Sequence, residues 1–488
     1  MSTTGYEIAR LPSGIPGLDG VLNGGLPQRR LSLVTGTAGT GKTLFGVQFL
    51  AAGIARHDEA GVFVTFEERP AAIRRNFRSF GWDVATWEDE GRWRFVDASP
   101  QPEEETVVAG EFDLSSLVVR VKHAVSESGA RRVAIDSTGS LVEQFASPFA
   151  ARRALFQIAA ELQDMGVTSV MTAERADDYG PITKYGFEEF VSDNVVILRN
   201  SLEGEKRRRT IEVLKLRGGS HLKGEHLFTI QPAHGLIVVP QETIDIEYEA
   251  SGTRLTTGLP ELDEMCRGGY YDKSLILVVG ATGTGKSLMA SHFIAGGVAN
   301  GERALLLSFE ESRAQLIRNA SRWGLDFEQM EADGMLRLVA AAPEAASLED
   351  HLLRMKEEVR TFAPDRVAID SLTALQRIST ARSFREYLLG LTFHIKTHAL
   401  VGLMTAATED IAGAGLVSGE LHISTVSDTI VVLQYIGRES AISRGVAVLK
   451  MRGSDHDKSL REYTIDDAGM HIGEPVPLRT WTRLPEVL

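Results

Sequence analysis

Residues 36–43 read GTAGTGKT, and residues 280–287 read GATGTGKS. Both fit G-x-x-x-x-G-K-[ST], in which the glycines let the backbone curl until several N–H groups face one phosphate chain. Lys42 and Lys286 each supply a point charge for the β- and γ-phosphates, and the hydroxyls of Thr43 and Ser287 can ligate Mg²⁺. An apolar run precedes each loop (LSLVTG at 31–36, LILVVG at 275–280), and a helical pattern follows (LFGVQFLAAGIA, LMASHFIAGGVA). The motif needs that context, because the helix N-terminus turns its positive dipole end towards the phosphates. One such loop could be a glycine-rich turn. Two in the same context predict a chain that binds nucleoside triphosphate twice.

Working outward, the rest of the chain is also doubled. SGIPGLDGVLNGGLPQRRLSLVTG (13–36) is answered by TGLPELDEMCRGGYYDKSLILVVG (257–280), and VFVTFEERPAAIRRNFRSFGWD (62–83) by ALLLSFEESRAQLIRNASRWGLD (304–326). RRVAIDSTGSL (131–141) is answered by DRVAIDSLTAL (365–375), and EVLKLRGGSH (212–221) by AVLKMRGSDH (447–456). A period of roughly 240 residues is too long for a solenoid unit and marks two homologous domains. The expected domains are 1–240 and 241–488, with the boundary in PQETIDIEYEASGTRL (240–255). Within each half, short β-rich runs such as GVFVTF, RRVAID, VTSVMTA and NVVILRN alternate with amphipathic stretches such as RRALFQIAAELQDMG. That alternation predicts an α/β fold with a mainly parallel sheet flanked by helices. The end of each half reads as further antiparallel strands.

The chain has 488 residues, 43% hydrophobic and 24% charged, with a net charge of −14. That suits a globular protein with a real core and disfavours a broad nucleic-acid surface. No apolar run reaches the ~18 residues of a membrane helix, and no secretory pattern opens the chain. The single cysteine, Cys266, excludes an internal disulfide and reads as a small buried side chain in a cytoplasmic protein. Glu103–Glu105 and the basic run KRRR (206–209) read as solvated loops, since no aromatic residue is interleaved with the cations. The histidines show no metal-ligand spacing.

Three further pairs carry chemistry. FEE puts Glu67 and Glu68, and again Glu310 and Glu311, at the end of the second predicted core strand. A carboxylate there can sit beside the γ-phosphate and orient or deprotonate an attacking group. VAID ends on Asp136 and Asp370, each followed by a serine, and an apolar strand ending in Asp is the usual Mg²⁺ partner of a phosphate loop. KLRG (Lys215, Arg217) and KMRG (Lys450, Arg452) place two cations two residues apart on one strand face. They read either as exposed strand charges or as a phosphate clamp reaching a neighbouring subunit.

The doubled loop, FEE and VAID resemble RecA-like ATPases, giving two tandem RecA-like P-loop domains. SFGWD, ERADDYGPITKYGFEEFVSDNVVILRN, RRRTIEVLKLRG, ATGTGKS, SFEESRAQLIRNA, HISTVSDTIVVLQY and KMRGSDHDK are similar to the KaiC family of circadian clock ATPases and autokinases, over about residues 10–472. That resemblance implies a homohexameric double ring with ATP and Mg²⁺ at the subunit interfaces. The N-terminal ring would be a slow ATPase with Glu67 and Glu68 as its catalytic pair. The C-terminal ring would be a serine/threonine autokinase and autophosphatase, with Glu310 as base beside the Mg²⁺ held by Ser287, and Glu311 next to it.

The implied phosphate acceptors are Ser424 and Thr425 of the adjacent subunit, with Ser418 as an approximate counterpart of a third hydroxyl. The implied nucleotide contacts are Gly36, Thr37, Ala38, Gly39, Thr40, Gly41, Lys42, Thr43, Ser79 and Asp136 in the first half. In the second they are Gly280, Ala281, Thr282, Gly283, Thr284, Gly285, Lys286, Ser287, Trp323 and Asp370. Contacts across the interface would come from Lys215, Leu216, Arg217 and His221, and from Arg444, Lys450, Met451, Arg452, Ser454, His456 and Lys458, with Arg385 near the phosphorylation region. A KaiB-like protein is the implied partner. The chain ends at Leu488, soon after GEPVPLRTWTRLPEVL, without the family's extended KaiA-binding tail, so the expectation is a timer independent of KaiA. Two alternatives stay open: a DNA-dependent RecA-like motor, and a nucleotide-gated interaction hub.

Overall fold

The computed structural model describes residues 8–99, 114–203, 206–239, 251–408, 426–437 and 442–476. The chain divides into two compact units, Met1–Gln241 and Glu242–Leu488. Each is built on a nine-stranded sheet flanked by helices, the α/β architecture the alternating pattern predicts.

In the N-terminal unit the phosphate-loop strand Leu31–Gly36 lies between Asn194–Glu203 and Thr168–Glu174. Arg132–Asp136, Gly61–Thr65 and Trp93–Asp97 follow in parallel on one side. On the other side Lys206–Leu216, Glu225–Gln231 and Gly235–Val239 continue antiparallel from Asn194–Glu203. The C-terminal unit repeats this order around Leu275–Gly280, from Leu336–Ala340 at one edge to Gly469–Pro475 at the other. Parallel strands must be covered on both faces, and the strand period of two divides their side chains accordingly. Phe63 and Ala134 pack beneath the helix Lys42–His57, whereas Val62, Val64, Val133 and Ile135 pack under Leu114–Ser128 and Pro148–Asp164. Lys42–His57 itself is buried from Leu44 through Ile54, which explains why its pattern is apolar all round.

One arginine in each unit is fully buried at the start of the strand that ends in Asp136 or Asp370. Arg132 donates to Glu59 Oε2 at 2.8 Å and to Phe49 O at 3.0 Å; Arg366 donates to Glu302 Oε2 at 2.6 Å and to Phe293 O at 2.6 Å. Burial alone would favour losing the charge, and the glutamate opposes that. The pin requires a glycine above it. A Cβ at Gly53 would come within 2.5 Å of Arg132 Cδ, and one at Gly297 within 2.1 Å of Arg366 Nε.

One local reading changes. KRRR is not a loop: Lys206–Arg209 opens an eleven-residue strand, and buried Arg208 pairs with Glu203 at 3.2 Å. A long hairpin needs paired backbone here, which outweighs the solubility of four cations. Of the expected inter-domain stretch 240–255, residues 240–250 lie outside the described residues, and Arg254–Leu255 already pairs with Tyr270–Tyr271 inside the C-terminal unit. Cys266 is fully buried, and that burial pushes its thiol up to about 12. Glu103–Glu105 lie outside the described residues.

Candidate nucleotide sites

The sheet register brings the expected residues to one edge, the carboxyl ends of the parallel strands. Gly36 lies opposite both Glu174 and Leu198, and Thr65 opposite Asp136. In the C-terminal unit Gly280 lies opposite Ala407 and Leu433, and Ser308 opposite Asp370. Ligands of open α/β sheets bind at this edge, where loops leave the strands in different directions.

The glycines of each loop have separate reasons. A Cβ at Gly36 would lie 2.6 Å from Leu198 O, and one at Gly280 2.3 Å from Leu433 O. Gly39 and Gly41, like Gly283 and Gly285, hold φ between +75° and +95°, a region L side chains rarely adopt. The curl brings Lys42 Nζ to 3.0 Å from the carbonyls of both Gly36 and Thr37, and Lys286 Nζ to 2.9 Å from those of Gly280 and Ala281. Burial lowers both lysine pKa values. Glu174, Asp136 and Glu67 oppose this at Lys42, and Asp370 and Glu310 at Lys286.

The hydroxyl and the strand-end acid of each site meet. Thr43 Oγ1 donates to Asp136 Oδ2 at 2.8 Å, and Ser287 hydrogen-bonds Asp370. Thr172 donates to the other oxygen of Asp136, and Thr405 donates to Asp370 Oδ1. Burial raises the pKa of both acids against these hydrogen bonds. Each pair offers only hard oxygen donors, which fits Mg²⁺.

Each FEE pair is divided between two tasks. Glu67 Oε1 accepts from Ser137 Oγ and, at 2.9 Å, from Ser140 Oγ; Glu310 Oε1 accepts from Ser371 Oγ at 2.7 Å. Glu68 Oε2 accepts from Asn76 at 3.1 Å, and Glu311 Oε2 from Asn319 at 2.9 Å. Burial raises the pKa of Glu311. Sequence reading saw the serines but not their use, and it missed both asparagines. The signal was present: an Asn stands eight residues after the second glutamate in both halves.

The remaining candidates are dispersed. Arg444 Nε reaches Gly283 O at 3.4 Å, and Tyr435 Oη donates to Thr282 O at 3.1 Å, so both border their own loop. Strand pairing puts Arg209 and Asn200 at the equivalent positions of the N-terminal unit. Ser79 is exposed in the turn Arg78–Phe80, and Trp323 caps Arg313–Arg322 half-buried against the core. In the aligned repeats Ser79 matches Arg322, so these two are not equivalent positions. Arg385 is exposed on Ala381–Thr397.

KLRG and KMRG lie at the opposite sheet edge from their own loop. Lys215 Nζ donates to Glu189 O at 3.1 Å and Ser192 O at 2.7 Å, and Lys450 Nζ to Ser427 O at 2.8 Å. Leu216 and Met451, the strands' last residues, are buried, and Arg217 and Arg452 follow beside Asp193 and Asp428. The amides of those acids bond the first residues of the loop strands, Leu31 and Leu275. Five residues of strand, about 16 Å, therefore separate the arginines from Gly36 and Gly280. His221, His456 and Lys458 follow at the same edge, where Ser454 accepts from Arg254 at 2.6 Å. Ser418, Ser424 and Thr425 lie outside the described residues.

Comparison with known proteins agrees with this doubling. The family model described as "ATPase: KaiC" matches twice, over residues 11–243 and 255–476. The chain is 52% identical to "Circadian clock protein KaiC3" of a Synechocystis species, over 96% of this chain and 92% of that protein. It is 51% identical to "Circadian clock oscillator protein KaiC" of Synechococcus elongatus, over 95% and 89%. The protein of the same name from Thermostichus vulcanus is 49% identical, over 96% and 89%. With two ATPase modules matched and near-complete coverage of these relatives, the chain belongs to the KaiC family.

Proposed function

We propose that this chain is an ATP-driven timer. Its N-terminal domain hydrolyses ATP slowly, and its C-terminal domain transfers phosphate to its own serine and threonine and removes it again. One observation carries the reading: each unit holds its own loop lysine, hydroxyl–aspartate pair and serine-held glutamate at one edge, while its KLRG or KMRG cations lie at the other. Cations about 16 Å down the strand cannot serve their own loop, but they can serve the loop of a neighbouring copy. Repeated head to tail with closure, that contact makes a ring, its doubling makes a double ring, and the likeness to the KaiC family supplies the number six.

In the N-terminal site Glu67 and Glu68 act as the pair that orients and deprotonates water, and Lys42 holds the phosphates. In the C-terminal site Glu310 deprotonates the acceptor hydroxyl, with Glu311 beside it and acceptors at Ser424 and Thr425. Thr43 with Asp136, and Ser287 with Asp370 and Glu310, would hold Mg²⁺, which when bound neutralises phosphate charge. The phosphorylation state then selects a KaiB-like partner. No helix among the described residues is long and apolar enough to cross a membrane.

The test is the intact mass of the purified protein, followed for a day in Mg²⁺-ATP and then in Mg²⁺-ADP. One or two phosphates gained and later lost, and absent in Ser424→Ala/Thr425→Ala, are expected. An unchanged mass beside measurable hydrolysis would remove the kinase and leave a double-ring ATPase.

A further inference from the structure

The two sites differ in charge at a position that the repeat keeps in register beside the loop. Opposite the first loop glycine stands Glu174 in the N-terminal unit and Ala407 in the C-terminal unit. Glu174 is half-buried, its carboxylate accepts no hydrogen bond among the described residues, and it is the foremost of the carboxylates whose charge bears on Lys42. A point built as a Cβ on Gly139 lies 3.9 Å from Glu174 Oε2 and 3.6 Å from Ser137 Oγ, the hydroxyl that holds Glu67. Lys42, Glu67 and Glu174 therefore converge on one corner.

The exchange is compensated. Gly139 is replaced in the second repeat by Thr373, whose Oγ1 accepts from Ala407 N at 2.7 Å. Glycine with glutamate leaves a carboxylate facing the loop, whereas threonine with alanine closes that corner with a hydrogen bond. Glu67 Oε1 is engaged by two serine hydroxyls, whereas neither carboxylate oxygen of Glu174 accepts a hydrogen bond among the described residues, so Glu174 has lone pairs to offer a small donor.

We propose that Glu174 is a third acid of the N-terminal site. It accepts a hydrogen bond from the attacking water and so makes that site hydrolytic. The inference rests on the N-terminal site being an ATPase. In the step, the water oxygen forms a bond to the γ-phosphorus, and the bond from that phosphorus to the bridging oxygen breaks with its electrons leaving on ADP. The water proton passes to the Glu67–Glu68 pair and then to solvent. Glu174 orients the water and keeps no proton. The C-terminal site lacks this acceptor.

The test is steady-state ATP hydrolysis by the full chain carrying Glu310→Gln, to quieten the other site, with and without Glu174→Gln, Glu174→Ala or Glu174→Asp. Binding of a fluorescent ATP analogue is measured on each. Glu174→Gln and Glu174→Ala are expected to lower kcat about tenfold or more, with KM and analogue affinity within about twofold, and Glu174→Asp to recover part of the rate. Glu174→Ala/Gly139→Thr, which installs the second repeat's pair, should remain folded and equally slow. Wild-type kcat in Glu174→Gln would overturn the assignment, as would a fall in affinity that matches the fall in rate. A parent chain that binds the analogue and hydrolyses no ATP would overturn the ATPase reading on which the inference rests.

Discussion

Gln48 and Leu236 exchange two hydrogen bonds: Leu236 N donates to Gln48 Oε1 at 2.7 Å, and Gln48 Nε2 donates to Leu236 O at 3.0 Å. The pair pins the last hairpin of the N-terminal unit to the helix that carries Lys42 and Thr43. In the C-terminal unit His292 takes the place of Gln48, and its Nε2 accepts from Met470 N at 3.2 Å. Gly469 is required there, because a Cβ would come within 2.4 Å of the ring.

The histidine makes one pin sensitive to acid. Burial, with a smaller push from His471, lowers the His292 pKa to about 4. The folded state therefore binds its proton less readily than the unfolded chain, whose histidine titrates near 6.5. The pin's stability is fully present above pH 6.5 and is lost as pH falls towards 4, by up to about 3 kcal/mol. Hydrogen exchange at the Met470 amide, corrected for the intrinsic rate, should lose protection across that window, while the Leu236 amide should not. His292→Gln should flatten the Met470 response. An unchanged pH response in that variant would place the titrating group elsewhere.

The serine-held glutamates differ in redundancy. Glu67 receives hydroxyls from Ser137 and Ser140; Glu310 receives one from Ser371, because Ala374 stands where Ser140 does. A hydrogen bond to a charged group is worth about 1.5–3 kcal/mol, so losing the sole holder misplaces the carboxylate more than losing one of two. Ser371→Ala should slow self-phosphorylation about tenfold or more, and Ser137→Ala should slow ATP hydrolysis only a few-fold. Both should leave nucleotide affinity near wild type. Equal losses at the two sites would show that Ser140 does not share the task.

The architecture was legible because one motif and its repeat carried it. The loop, its flanking strand and its helix are contiguous in sequence, so GTAGTGKT and LSLVTG sufficed to place Lys42 and Thr43. The division of labour within FEE was not legible. It depends on hydroxyls from segments some 60–70 residues away and on amides eight residues away. KRRR misled for a related reason. Four cations in a row suggest solvent, but Arg208 finds Glu203 across a hairpin whose pairing no composition reveals. Glu174 was passed over because alone, at a strand end, it resembles any surface glutamate; only its register opposite Gly36 and the Ala407 of the second repeat single it out.

One ion network tests how the first loop is supported. Arg199 Nη2 donates to Glu212 Oε2 at 2.6 Å, and Glu225 lies 3.4 Å from Nη1. Arg199 Nε donates to Asp178 O at 3.0 Å, and Asp178 Oδ1 accepts from Thr37 Oγ1 at 2.7 Å, so the network ends on the phosphate loop. Strand pairing gives the second repeat Gln434, Ala447 and Leu460 in these places, and the last two pack with Ile436 in an apolar cluster. Breaking a buried pair costs about 3–5 kcal/mol because it strands the partner charge, whereas replacing every member by packed neutral groups is often neutral. Arg199→Gln alone should therefore destabilise the N-terminal unit by about 3 kcal/mol in urea unfolding. Arg199→Gln/Glu212→Ala/Glu225→Leu should return to within about 1 kcal/mol of wild type while still losing the tie to Asp178. Its nucleotide affinity should then fall several-fold although its stability has recovered. A triple variant as unstable as the single one would mean that the three charges are held by packing this exchange cannot reproduce. Wild-type affinity in a stable triple variant would mean that Asp178 holds Thr37 without help from Arg199.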